Sequence, residues 1–186
     1  MHAYVTTVLC VFAAVAATGA GTPTLPHGAR LMDATHSYPN ADAEADIRAL
    51  IAEQAEAWNR HDAKGWASRF VPTAEFINIL GTPFSGKPAI EDITTRIFAT
   101  IFKASHDVVT VQKIVWVTPD LAIAHYEHAV SGYTALPPGI QPSEIGADGQ
   151  GVLRTRMVYV LQRRSNEQWV IVNGQNTAIL PVFKAP

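Results

Sequence analysis

The chain has 186 residues, 48% of them hydrophobic, which suits one globular domain of roughly 100–150 residues with a real core, plus an extra segment. Its 14 basic and 16 acidic residues leave a formal net charge of −2 with no block of either sign. That balance excludes the electrostatic footprint of a nucleic-acid or anionic-membrane partner.

The opening stretch, MHAYVTTVLCVFAAVAATGAGT, holds an uncharged apolar run from Tyr4 to Ala17, then small residues with a cleavage point after Ala20. It reads as a signal peptide, residues 1–20, and predicts export to the periplasm or medium. Only the amino terminus and His2 precede the run, so a short membrane anchor is the competing reading. The run is shorter than the ~20 residues of a spanning helix, and no stable membrane insertion is expected after cleavage. The only cysteine, Cys10, lies in this run, so a mature chain would have no disulfide, cysteine nucleophile or thiolate metal site. Residues 21–40 are rich in Pro, Gly and Thr without periodicity and read as a flexible linker.

A folded domain is expected over residues 41–181, followed by a tail at 182–186. Ile47, Ile51, Gln54 and Trp58 share one face of a first helix that begins near Ala41 and carries Asp42, Glu44 and Asp46 at its start. A second helix, 63–70, opens at Asp62 as N-cap and stops before Pro72. Glu75 to Leu80 reads as a strand containing Asn78, and 81–86 as a turn. Pro88 starts a third helix with Ile90, Ile93, Ile97 and Ile101 on its apolar face. Four long β-rich runs follow, at 108–117, 121–133, 152–163 and 168–179, and their order predicts an antiparallel meander. The connection at 134–151 is too long for a hairpin, which leaves a lid or a disordered loop. The fold class is α+β, with three helices packed on one face of a curved antiparallel sheet.

The helix–helix–strand–helix–meander order, the segment AWNRHDAKGWASRFVPTAEFINILGTPFSGKPAI and the closing WVIVNGQNTAIL resemble the nuclear transport factor 2-like superfamily. Within it the chain is similar to the SnoaL-like and SgcJ/EcaC branch, related to ketosteroid isomerase. The resemblance implies a cone-shaped, cystatin-like roll, usually dimeric, with a pocket inside. It also implies that Asn78 stands where ketosteroid isomerase has its aspartate base, and Gln54 where it has a tyrosine donor. A third position falls near Tyr159 or Val160. Two amides there suggest a neutral hydrogen-bonding pocket, the alternative being two structural amides bonded to backbone.

The segment AHYEHAV supplies the acid–base candidates. On a strand, His125 and Glu127 share one face while Tyr126 and His128 share the other, so only one pair can reach the pocket. His125 and Glu127 are taken as the catalytic pair, a carboxylate orienting an imidazole base, against a convex-face or interface role. Ligand contacts are expected from Gln54, Trp58, Trp66, Asn78, His106, Arg156 and Gln175. Arg154 and Arg156 share a face and would bind an anion if inward, or solvate an edge if outward. His125, Glu127 and His106 lack the spacing of a recognised metal motif, so no metal is expected. Nothing resembles a nucleotide or flavin fingerprint, so no cofactor is expected either.

These readings predict an exported pocket protein that either binds a small, mostly apolar oxygenated molecule or converts it by acid–base chemistry of the isomerase, cyclase or hydrolase type. The alternative is a non-catalytic dimeric ligand-binding or interaction module with a filled cone. A homodimer is expected in both.

Overall fold

The computed structural model describes residues 41–146 and 149–181. The expectations for the signal peptide, the linker and the 182–186 tail therefore lie outside the described residues. No helix among the described residues is long and apolar enough to cross a membrane.

Helix α1 (Ala41–Asn59) buries Ile47, Leu50, Ile51, Gln54 and Ala57, the three- and four-residue steps of one face. Helix α2 (Ala63–Ala67) is capped by Asp62, whose carboxylate accepts the Gly65 N–H at 2.8 Å. This helix is shorter than expected because the chain is already in strand β1 (Phe70–Ile77) at Phe70. Pro72 does not break β1, since the pairing of β1 with its neighbour is irregular between Phe70 and Glu75, where a missing N–H is tolerated. The expected turn at 81–86 contains a short strand, β2 (Pro83–Ser85), paired antiparallel to β1. Helix α3 (Lys87–Ala99) starts at Pro88 and buries Ile90, Thr94 and Phe98.

Strands β3 (His106–Thr118), β4 (Leu121–Ser131), β6 (Gly151–Arg163) and β7 (Trp169–Ala178) form the expected meander, with a two-residue β5 (Glu144–Ile145) alongside β6. The sheet order is β2-β1-β7-β6-β4-β3. The α+β class and the curved sheet are as expected, but the sheet is mixed because β1 joins β7 in parallel, and it is unclosed, with β2 and β3 at its ends. A parallel neighbour needs a long crossover, and α3 with the whole meander supplies it.

Two apolar clusters divide the interior. The first joins Ile47, Leu50 and Ile51 of α1 to Tyr126, Tyr159 and Leu161 of the sheet. The second gathers Phe98, Phe102, Val130 and Leu153 near the end of α3. The long 134–150 connection is anchored over this second cluster: the Thr134 N–H donates to the Ile101 carbonyl at 2.8 Å, and Leu136 and Ile140 pack on the cluster. Farther on, the Ser143 N–H donates to the Val152 carbonyl at 2.8 Å.

Candidate functional site

Strand β4 alternates strictly in burial, and that alternation decides which side chains can react. Ala122, Ala124, Tyr126, His128 and Val130 face inward, while His125 and Glu127 face out. The expected catalytic pair is therefore corrected: it stands on the convex side. Glu127 accepts hydrogen bonds there from Arg154 at 2.9 Å, Gln112 at 3.1 Å and Arg156 at 3.5 Å. Arg154 also grips Glu144, and this guanidinium holds the Glu144 carboxyl below the usual carboxylate range. The register explains the cluster, because Glu127 pairs across β4–β6 with Arg156 and Ala129 with Arg154.

Arg156, Gln175 and His106 are likewise corrected as pocket residues. Arg156 has 53% of its side chain exposed, and Gln175 and His106 are exposed on the outer side of their strands. His106 pairs with Ser131, most of a strand away from His125, which pairs with Lys113. Among the described residues, no group of three or more His, Cys, Asp or Glu side chains could hold a metal ion.

The interior keeps a cavity of about 230 Å³ between the sheet, the two tryptophans and α3. Trp58 and Trp66 both line it. Trp58 is fixed by its Nε1–H, which donates to Ser105 Oγ at 2.9 Å, and by an edge contact to Phe98 with ring centroids 4.9 Å apart. Trp66 packs edge-on to Phe76 at 5.8 Å. Ile93, Ile97 and Phe102 complete an apolar wall, and Pro137 from the long connection also reaches it.

Gln54 and Asn78 divide. Asn78 lines the cavity, but its side-chain oxygen accepts the Leu80 and Thr82 N–H groups at 2.9 and 3.0 Å, so it shapes the turn after β1. Gln54 sits in the core behind the wall, donating to the Trp66 carbonyl at 2.8 Å. Its Oε1 is buried without a partner.

The inward face carries the pair that the sequence reading passed over. His128 Nδ1 stands 2.6 Å from Asp107 Oδ2, with 7% and 0% of the two side chains exposed. Asp107 is held at its backbone by Asn59, which accepts the Asp107 N–H at 2.7 Å and donates to its carbonyl at 2.9 Å. With the carboxylate as acceptor, the neutral ring carries its proton on Nδ1, which leaves a lone pair on Nε2. His128 lines the cavity, and Nε2 is buried without a partner. Thr155, directly across β4–β6 from His128, has a buried hydroxyl without a partner, and so does the Asn176 side-chain oxygen one step along β7.

Tyr126 and Tyr159 lie deeper, with Tyr126 5.0 Å from the His128 ring and 5.3 Å from Tyr159. Burial pushes both phenols above their usual pKa; for Tyr126 the neighbouring Tyr159 adds to the rise, while for Tyr159 the nearby Tyr126 and Gln54 offset part of it. Both are neutral at physiological pH, and among the described residues of strands β4 and β6 that line the cavity, His128 is the one with a ring nitrogen.

Residues 45–172 match the family described as SnoaL-like domain. Comparison with curated proteins gives no match. Among solved structures, a domain of unknown function with a cystatin-like fold from Nostoc punctiforme is 28% identical at a TM-score of 0.60, covering 76% of this chain and 80% of that one. A putative scytalone dehydratase from Novosphingobium aromaticivorans is 14% identical at a TM-score of 0.60, covering 79% and 97%. A ketosteroid isomerase-like protein from Erwinia carotovora atroseptica is 14% identical at a TM-score of 0.58, covering 74% and 96%. The last two likenesses speak to the fold alone.

Proposed function

Because the chain belongs to the SnoaL-like domain family, and its cavity contains a carboxylate-oriented imidazole, we propose that it binds a small, mostly apolar oxygenated molecule and moves a proton on it. The observation that carries this reading is the buried, unpartnered Nε2 of His128, a residue that lines the cavity and is backed by Asp107. A buried polar atom left unpaired costs about 1–3 kcal/mol, a cost that a ligand can relieve.

The chemistry follows from the positions of the groups. Nε2 takes a proton from carbon next to a carbonyl: the C–H bond breaks, the N–H bond forms, and the electron pair moves onto the carbonyl oxygen. Asp107 stabilises the resulting imidazolium, and the Thr155 hydroxyl opposite His128 donates to the developing enolate. In a β,γ-unsaturated carbonyl compound, return of the proton to the γ-carbon gives an isomerisation; with a β-hydroxyl, the enolate pair forms the C=C bond as the C–O bond breaks, and delivery of the proton to the departing hydroxyl gives a dehydration. Likeness of fold to proteins described as a putative scytalone dehydratase and a ketosteroid isomerase-like protein is compatible with either.

From the Tyr4–Ala17 apolar run we also infer export, and from the uncovered outer face of the sheet a homodimer. N-terminal sequencing of secreted material and light scattering at micromolar concentration test these two points. An intact Met1 in the cytoplasm rejects the first, and a clean monomer rejects the second.

The proton-transfer reading is tested with acetophenone in heavy water, following loss of its methyl proton signal by NMR. Wild type is expected to exchange these protons at least about a hundredfold faster than His128→Gln, the usual worth of a positioned base. Equal rates for the two folded proteins contradict the reading.

A further inference from the structure

The cavity's size and the placement of its polar atoms narrow the ligand further. About 230 Å³ lies below the roughly 300–1,000 Å³ of sites for drug-sized ligands. A space of this size favours one ring with short substituents over a fused multi-ring skeleton.

Three of the lining residues carry a buried side-chain atom without a partner, and all three stand on the sheet. His128 and Thr155 face each other on β4 and β6, and Asn176 stands on β7 opposite Met157, one inward position along from Thr155. Strands are spaced ~4.8 Å apart and residues rise ~3.3 Å along them, so the backbones of His128 and Asn176, two strands over and two residues along, are about 12 Å apart, a span that one ring with an oxygen at each end can bridge. The facing wall is apolar, made by Trp58, Ile93, Ile97 and Phe102. Thr94, the hydroxyl residue there, spends its donor on the Ile90 carbonyl at 2.7 Å.

We propose that the ligand is a monocyclic compound with an oxygen function at each end, one held by His128 and Thr155 and the other by Asn176, its ring lying against Trp58 and α3. This rests on the proton-transfer reading only in placing the reacting oxygen at the His128 end. An amide both donates and accepts, so Asn176 suits a hydroxyl or a carbonyl at the far end. A ligand with one oxygen leaves Asn176 unpaired and binds more weakly.

Tryptophan fluorescence titration of the full chain with three probes tests this: para-hydroxyacetophenone, acetophenone, and the four-ring steroid progesterone. The two-oxygen ring is expected to bind about threefold to tenfold more tightly than acetophenone, and progesterone not to enter. In Asn176→Leu the preference between the two single-ring probes should collapse toward unity. Should that variant not fold, the wild-type ranking decides alone. Equal affinity for both single-ring probes, no binding of either, or tighter binding of progesterone overturns the proposal. The preference present without methyl-proton exchange removes the proton-transfer reading and leaves this inference standing; exchange without the preference does the reverse.

Discussion

Asn59, the last residue of α1, clasps the backbone of Asp107 at two points, accepting its N–H at 2.7 Å and donating to its carbonyl at 2.9 Å. The clasp ties the helix to the first residues of β3 and fixes the carboxylate that orients His128. Asn59→Ala leaves two backbone groups of a buried residue without these partners, and should lower stability by about 1–3 kcal/mol in a urea melt. It should also slow methyl-proton exchange at saturating acetophenone, since Asp107 is no longer held.

Glu127→Gln tests the assignment of strand faces. Its carboxylate, 16% exposed, is held by Arg154 and Arg156 on the outer side of the sheet, away from the cavity. The substitution weakens the hydrogen bonds of a largely buried carboxylate and should cost about 1–3 kcal/mol in stability, yet leave acetophenone affinity and exchange unchanged. A large loss of exchange would return Glu127 to the site.

Much of this architecture could be read from residue patterns. Pro88 and the Ile90–Ile97 spacing mark α3, and the four β-rich runs mark the meander. The choice of face on β4 could not be read this way, because its outward positions include the large apolar Leu121 and Ile123 while its inward ones begin with Ala122 and Ala124. The small residues face in because Ile47, Leu50 and Ile51 of α1 share that cluster with them. Asp107 was hidden for a different reason: its partner lies 21 residues away, and only the β3–β4 register brings them together. The amides of NGQNT alternate faces as a strand requires, which puts Asn176 on the cavity wall and Gln175 outside. The glycine of that segment has a packing reason, since a Cβ at Gly174 would stand 2.7 Å from the Tyr159 ring and 2.9 Å from Phe76.

Asn78→Leu should lower stability by about 0.5–1.5 kcal/mol, because the Leu80 and Thr82 N–H groups lose their acceptor at an exposed turn where water replaces part of it. Asn78→Asp preserves the acceptor and should melt close to wild type. Paired thermal melts check this, and equal losses in both variants would rule out the turn as the reason for the amide.

Alkaline stability follows from the two buried phenols. Their pKa values are raised in the folded state, so above the unfolded value of about 10 the folded chain holds protons that the unfolded chain has released. Their stabilising contribution is complete below that pH and lost as pH rises through the folded values. Urea melts from about pH 9 upward should show stability falling, with a shallower fall in Tyr159→Phe.

The central claim is that Asp107 holds His128 as the Nδ1–H tautomer with Nε2 free to take a proton from a ligand. Long-range proton–nitrogen NMR of histidine-labelled protein reads this directly. The expected spectrum shows His128 protonated on Nδ1 only, with the Nε2 resonance moving when para-hydroxyacetophenone is added. A proton on Nε2 in the free protein, or an Nε2 resonance unmoved at saturating probe, contradicts the account.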